Sequence, residues 1–471
     1  MQFNSIEYML FLPLVFLIYW GMRKSMKSQN IFVVLASYIF YGWWNWKLLY
    51  LIALTSFLSW STGIYIEKYK INEQKKKAKW ITVFNIVVNI GVLVLFKYYN
   101  FFITSFIEVM QLWGYNAHAS TLQLILPVGI SFYTFQALSY TIDIYQGKIR
   151  PTKDLIAFFA YVSFFPQLVA GPIERATNLL PQFLKSRSFS YDKSVDGMRQ
   201  ILWGLFKKIV IADNCAGIVN TIFDNYQGAS WPTLILGAFL FAFQIYGDFS
   251  GYSDIAIGTA KLFGFNLMTN FKTPYFSSNI PEFWRRWHIS LNTWFRDYVY
   301  IPLGGNRCSK TKHIRNTLIV FGLSGLWHGA NWTYIMWGLY HGILTIPYAL
   351  NKKYKNKETN LISVALTFIL VIIGWIFFRA ETISQAFNYI GSILLLKSGN
   401  SDLGLSMVTL YTTIFFILSL LIIEYIQRNK SHALDINRIH SRFIRWNIYL
   451  FLIFLILLFP GQAETFIYFQ F

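Results

Sequence analysis

The stretch "LSGLWHGANWTYIMWGLYHG" (323–342) holds His328 and His341, two of the seven histidines in the chain, among aromatic and uncharged residues. Histidine changes protonation near neutrality, so an imidazole is suited to take a proton from an alcohol or a thiol. Gly325 and Gly329 bracket His328 at i−3 and i+1, and residues without a side chain let a ligand or a backbone come close. His341 has a weaker flank and is expected to support the chemistry rather than perform it. Without a proton to move, each histidine reads as a packing residue bonded to a nearby carbonyl.

A second cluster lies upstream in "PEFWRRWHISLNTWFRDYVYIPLGGN" (281–306). Arg285, Arg286 and His288 sit there among Trp284, Trp287 and Trp294, followed by Arg296 and Asp297. Pro281 and Glu282 suit the first turn of a helix. Two readings stand. One is an interfacial helix with tryptophans at head-group level and arginines reaching lipid phosphates. The other is a cationic rim for a phosphorylated ligand, with Arg285, Arg286, Arg296, Arg307, Lys310 and Arg315 as its donors. A third stretch, "FQIYGDFSGYSDIAIG" (243–258), places Asp248 and Asp254 in an apolar span. Their spacing of six residues puts them on different helical faces, so they read as buried polar contacts around Gly247 and Gly251. The chain carries no HExxH, GxSxG, phosphate-loop or dinucleotide pattern. Cys215 and Cys308 lie far apart and suggest neither a disulfide framework nor a metal cluster.

The elements that must hold these residues cross a membrane. Of 471 residues, 55% are hydrophobic and only 13% charged, against roughly 25% charged in soluble proteins. Mean hydropathy is +0.42. Lys and Arg number 41 against 21 Asp and Glu, a net charge of +20. The cations sit in short loops between apolar runs, which is an orientation signal rather than a nucleic-acid surface. Candidate spans are 6–21, 31–44, 47–66, 80–97, 122–145, 154–171, 231–262, 315–328, 331–350, 360–378, 405–426 and 443–459. The first run lacks a basic segment before it, with Arg23, Lys24 and Lys27 after it, and is expected to be retained as a span.

Loop charge gives a topology. Residues 67–79 hold six lysines and are expected inside; 147–153, 306–316, 351–358 and 427–445 are basic and expected inside as well. The final stretch "GQAETFIYFQF" has no cation and is expected outside. Segment 154–171 breaks the alternation, so it is expected to re-enter or to break at Pro166 and Gly171, within protein or beside a cavity. Residues 196–219 read as an amphipathic helix on the membrane surface, with Ile201, Leu202, Leu205 and Ile209 on one side and Arg199, Lys207 and Lys208 elsewhere. His328 lies 13 residues after Arg315 (328 minus 315), or ~20 Å along a helix. His341 lies 11 residues before Lys352, or ~16 Å. Both depths fall near the middle of a ~30 Å core, where ionisable groups face the protein interior or water. The expectation is one all-α membrane domain over 1–471, with about 11 transmembrane helices plus re-entrant and interfacial helices around a central funnel.

"FWRRWHISLNTWFRDYVYIPLGG" together with "GLWHGANWTYIMWGLYHG" closely resembles the membrane-bound O-acyltransferase (MBOAT) family, in its bacterial alginate and peptidoglycan O-acetyltransferase-like branch. "FFPQLVAGPIER", "YGDFSGYSDIAIGTAKLFGFNL" and "FIYFQF" add to the likeness, which covers nearly the whole chain with a motif core at 243–345. The resemblance implies a helical fold with a funnel, an essential histidine at His328 and a second at His288. It implies transfer of an acetyl group from a cytoplasmic thioester, acetyl-CoA or another, with no bound cofactor. The acceptor it implies is a hydroxyl of an extracytoplasmic polysaccharide or peptidoglycan, reached through a separate partner protein, from a multi-pass position in the cytoplasmic membrane. Bottom-up, acyl transfer needs a base beside the attacking hydroxyl and a donor for the oxyanion. His328 fits the base. Asn331, Trp327 and His288 remain candidates for the oxyanion, His341 and Asp297 for support, and Arg285, Arg286, Arg296 and Arg307 for the donor's phosphates. The competing functions are a lipid- or protein-directed acyltransferase and a transporter or flippase without chemistry. The lack of paired repeats with interrupted helices speaks against a transporter.

Overall fold

The computed structural model describes residues 1–116, 118–169, 171–350, 360–401, 404–462 and 464–467. Among the described residues the chain is all-helical, with no strand beyond an isolated bridge between Ala229 and Asn400. The basic loop expected at 351–358 lies outside the described residues, apart from its flanks. Two compact units form: Met1–Ser194 with Thr259–Met268, and Val195–Gly258 with Thr269–Phe471.

Among the described residues, five helical runs are long and apolar enough to cross a membrane: Met26–Ile71, Lys75–Leu112, Trp231–Leu262, Leu361–Arg379 and Met407–Ile426. Their outer faces expose Leu35, Ile39, Phe57, Phe84, Ile369 and Phe415, a surface suited to lipid rather than water. The first run has 46 residues, which as one helix would be ~69 Å, over twice a bilayer core. Asn45 divides it: its backbone is extended (φ −158°, ψ 103°) and its side chain caps the Lys47 amide, leaving the helices Met26–Asn45 and Leu49–Ile71.

In the first unit the Leu49–Ile71 and Lys75–Leu93 helices share buried amide and hydroxyl groups. Asn85 donates to Thr62 Oγ1 at 2.9 Å and to Ser59 Oγ at 3.3 Å, the polar contact that holds helices together where burial offers no hydrophobic gain. The span expected at 122–145 is shorter than its pattern suggested. Helix begins only at Ile130, because Pro127 and the left-handed Gly129 (φ 72°) keep the preceding apolar residues out of it. Segment 154–171 is interrupted, with helices at Leu155–Ser163 and Phe165–Leu168.

The second unit carries the sites of interest. The helix Tyr191–Leu205 runs into a π-helical turn, Phe206–Ala212, and then into Asp213–Asp224. The expectation of a surface helix with solvated cations is corrected here: Arg199, Lys207 and Lys208 are all buried. The i→i+5 turn widens the helix, and two consecutive lysines point to carboxylates of the Trp231–Leu262 helix. Lys207 Nζ lies 2.6 Å from Asp254 and Lys208 Nζ 2.9 Å from Asp248. Burying either charge alone would be costly, so the pairing decides the packing. Backbones meet without side chains between them. A Cβ on Gly204 would lie 2.6 Å from the Gly251 carbonyl oxygen, and one on Gly251 2.7 Å from that of Gly204.

Lys310–His328 and Trp332–Leu350 form a helical hairpin closed the same way. A Cβ on Gly325 would collide with the Tyr334 carbonyl, and one on Gly338 with that of Phe321. Gly325 is therefore there to admit a backbone.

Candidate active site

His288 sits at a forced turn. Helix Ile280–Arg286 ends at Trp287, and His288 adopts left-handed backbone (φ 42°, ψ 55°) before Ile289–Phe295 begins. Residues with a Cβ seldom hold this conformation unless their surroundings over-determine it. Two asparagines do so. The Asn270 carbonyl accepts from the Ile289 amide at 3.0 Å, while Asn270 Oδ1 accepts from the Ser290 amide at 3.2 Å and hydroxyl at 2.7 Å. Asn292 Nδ2 donates to the carbonyls of Trp284 (2.7 Å) and Trp287 (2.5 Å). The turn aims the buried imidazole edge-on at Phe249, ring centroids 4.6 Å apart.

His328 is the last residue of the Lys310–His328 helix, with Gly329 as its C-cap. Its ring is buried and packs edge-on against Trp327 (5.1 Å), Trp337 (5.0 Å) and Phe378 (5.4 Å). The His288 and His328 rings lie 6.3 Å apart between centroids, and Trp327 lies 5.7 Å from His288. Residues 40 apart in sequence thus form one centre: two imidazoles with an indole beside them, in an aromatic enclosure. His328 sits at the carbonyl end of its helix, the end that favours positive charge.

The other expected site residues are distributed around that centre. His341 is fully buried and lies on the far side of Trp337, 5.4 Å between rings, with Trp284 edge-on at 4.9 Å. Neither of its nitrogens has a hydrogen-bond partner among the described residues, and Gly374 is bare where a Cβ would strike Nε2. Asn331 is engaged at both ends, donating to the Glu381 carbonyl at 2.9 Å and accepting from the Thr333 amide at 3.0 Å. Arg296 and Asp297 form a two-pronged pair, 2.7 and 3.3 Å, and that bond holds the Arg296 guanidinium above its ordinary pKa. Arg286 pairs with Glu282 at 2.6 Å. Against burial, which raises it, bonds from Ser278 and the nearby Arg286 and Arg285 keep the Glu282 carboxyl below its ordinary value. Arg285 and Arg307 are exposed.

A cavity of about 570 Å³ opens elsewhere in this unit, and none of the four arginines lines it. Its walls include Tyr246, Asn270 and Phe271, with Lys272, Arg428 and Lys430 among the residues around it. Asn270 is the link between this cavity and the His288 turn, and its buried Nδ2 has no partner among the described residues. Sequence reasoning did not single out Asn270 or Asn292. The only local signal was polar side chains beside aromatic residues in otherwise apolar stretches.

Residues 149–350 match the family described as MBOAT, membrane-bound O-acyltransferase. "Probable alginate O-acetylase AlgI" of Pseudomonas aeruginosa is 41% identical over 393 residues, covering 82% of this chain and 74% of that protein. The "Peptidoglycan O-acetyltransferase" of Helicobacter pylori is 36% identical over 409 residues, covering 80% of this chain and 76% of that protein. The "Teichoic acid D-alanyltransferase" of Bacillus subtilis is 29% identical over 396 residues, covering 79% and 95%. With the two motif histidines drawn into one buried centre, and with five helical runs among the described residues apolar and long enough to cross a membrane, these likenesses settle the class: the chain is a multi-pass membrane protein of the membrane-bound O-acyltransferase family, and an acyltransferase.

Proposed function

We propose that the protein is an O-acetyltransferase that moves an acetyl group from a cytoplasmic thioester, acetyl-CoA or another, to a hydroxyl of a cell-surface polysaccharide or peptidoglycan. The observation that carries this reading is the 6.3 Å approach of the His288 and His328 rings within a chain whose relatives are named for acetylating alginate and peptidoglycan. His328 takes the proton from the acceptor hydroxyl as its oxygen attacks the thioester carbonyl. The carbon–sulfur bond then breaks, and the leaving thiolate takes the proton back from the imidazolium, giving an ester and a free thiol. His288 orients the donor or stabilises the oxyanion, a role for which Trp327 also competes. The reading includes about 11 transmembrane helices around a central funnel in the cytoplasmic membrane, and a separate extracytoplasmic partner that delivers the acetyl group to the glycan.

Two sets of cations compete for the donor's phosphates. Arg285, Arg286, Arg296 and Arg307 are one. Lys272, Arg428 and Lys430 around the 570 Å³ cavity are the other, favoured by the unpartnered Asn270 Nδ2, which could donate to an amide carbonyl of a pantetheine arm.

The test is reconstitution in vesicles with radiolabelled acetyl-CoA, followed by thiol release and by analysis of acetyl esters in the envelope of cells with and without the protein. Acceptor-dependent thiol release and loss of glycan esters in the deletion strain are expected. Acetyl esters found only on lipid or protein would replace the glycan acceptor, and an absence of thiol release with any acetyl thioester would overturn the reading.

A further inference from the structure

Lys208 is buried between two carboxylates, 2.7 Å from Asp213 and 2.9 Å from Asp248. The acyl transfer above uses none of the three. What else they hold is the segment that follows the Arg442–Leu458 helix. Lys208 Nζ also donates to the Glu464 carbonyl at 3.1 Å, and Asp248 Oδ2 accepts from the Ile467 amide at 2.7 Å. Asn220 Nδ2 donates to Glu464 Oε1 at 3.2 Å, and Asn214 Nδ2 to the Phe459 carbonyl at 3.0 Å. The backbone near Gly461 passes so close to Asp213 that a Cβ there would collide with it.

This pinning has a consequence three rings long. Phe466 is fully buried; its ring lies 4.1 Å from that of Tyr252 and 6.0 Å from that of Phe249. Phe249 meets the His288 imidazole edge-on at 4.6 Å. Phe249 and Tyr252 are three residues apart on the Trp231–Leu262 helix, so they share a face, and Phe466 covers it.

We infer that residues 464–467 are a positioning strap: Lys208 and Asp248 fix its backbone, Phe466 backs Phe249, and Phe249 fixes the rotation of the His288 ring relative to His328. The inference rests on the two-histidine centre as the site of transfer. A covalent clamp is not needed, because a charged cluster with matched partners holds its neighbours in one geometry. Reacting groups tolerate little misplacement, and an error of about 1 Å can cost about a hundredfold in rate.

The experiment compares Phe466→Ala, Phe466→Leu and His288→Gln, purified in detergent with histidines labelled at ¹³Cε1. The His288 resonance is assigned by its loss in His288→Gln. Phe466→Ala is expected to lower kcat roughly tenfold or more with donor KM unchanged, and to shift the His288 resonance while leaving that of His341 in place. Phe466→Leu, which restores bulk, is expected to recover most of the rate. An unmoved His288 resonance in Phe466→Ala overturns the strap, as does a uniform broadening of all histidine signals with a lowered thermal midpoint, which marks a merely structural role. If His288→Gln itself transfers acetyl normally, the two-histidine centre fails instead, and the resonance still decides the strap.

Discussion

The second unit buries ionisable groups in two contrasting ways. Around the π-helical turn, Lys207 and Lys208 meet Asp254, Asp248 and Asp213, so each buried cation faces a carboxylate. Around the hairpin, His288, His328 and His341 are walled by Trp284, Trp327, Trp337, Phe249 and Phe378. A buried charge with matched partners is committed to structure. An imidazole in an aromatic enclosure is not committed to such a cluster, and its nitrogen can take a proton from a substrate hydroxyl. Under the proposed function, the contrast separates the residues that hold this protein together from those that would do its chemistry.

The largest effect that sharpens the contrast is at Lys208. Replacing it by Met leaves Asp213 and Asp248 buried and facing each other, which should cost ~3–5 kcal/mol and be read as a collapse in the yield of folded protein. A Lys208→Met variant as stable as wild type would remove the structural half of the comparison. Lys207→Met should cost less, ~1–3 kcal/mol. Gln200 still donates to Asp254 at 2.7 Å, and the Asp254 side chain keeps 17% of its surface exposed. Thermal midpoints of the pair in the same detergent check the order.

His341 tests the other side. Its nitrogens lack partners among the described residues, so His341→Phe should leave stability unchanged or raise it by ~1 kcal/mol, while transfer falls less than about tenfold. A loss equal to that of a His328 variant would move His341 into the catalytic pair. The smallest effect concerns the exposed arginines. Arg285→Ala and Arg307→Ala should each weaken apparent donor affinity by a few-fold at low salt, with the difference fading as salt rises, because exposed charges are screened. Unchanged affinity for both, with weaker binding in Lys272→Ala, would place the donor's phosphates at the cavity instead.

Much of the candidate site was legible in the sequence because it is locally written. Two histidines in aromatic stretches, each in a distinctive motif, are visible without coordinates, and so are the apolar runs. The helical hairpin could be read from two apolar segments lying between basic loops. Partners across long distances could not. Lys207 and Lys208 read as cations of an amphipathic surface helix because the carboxylates that draw them to the Trp231–Leu262 helix, Asp254 and Asp248, lie 40 or more residues away, and the π turn lets both point inward. Asn270 and Asn292 were invisible as supports for His288, since the left-handed turn they hold has no glycine to announce it. The strap at 464–467 looked like an outer segment without cations, because Lys208 and Asp248 grip it by backbone groups that any sequence would offer. Helix onset at Ile130 was missed because hydropathy counts residues 122–129 as apolar without registering that Pro127 and Gly129 end the regular backbone.

The central claim is that His328 supplies the base. His328→Gln keeps the size and hydrogen-bonding capacity of the side chain and removes its basicity. The decisive measurement is the rate of acetyl transfer by this variant in vesicles, with wild-type insertion and thermal midpoint verified. General-base catalysis is worth ~10²–10⁴-fold, so a drop of at least about a hundredfold is the predicted result. Near-normal acetyl transfer by correctly inserted His328→Gln protein would contradict it.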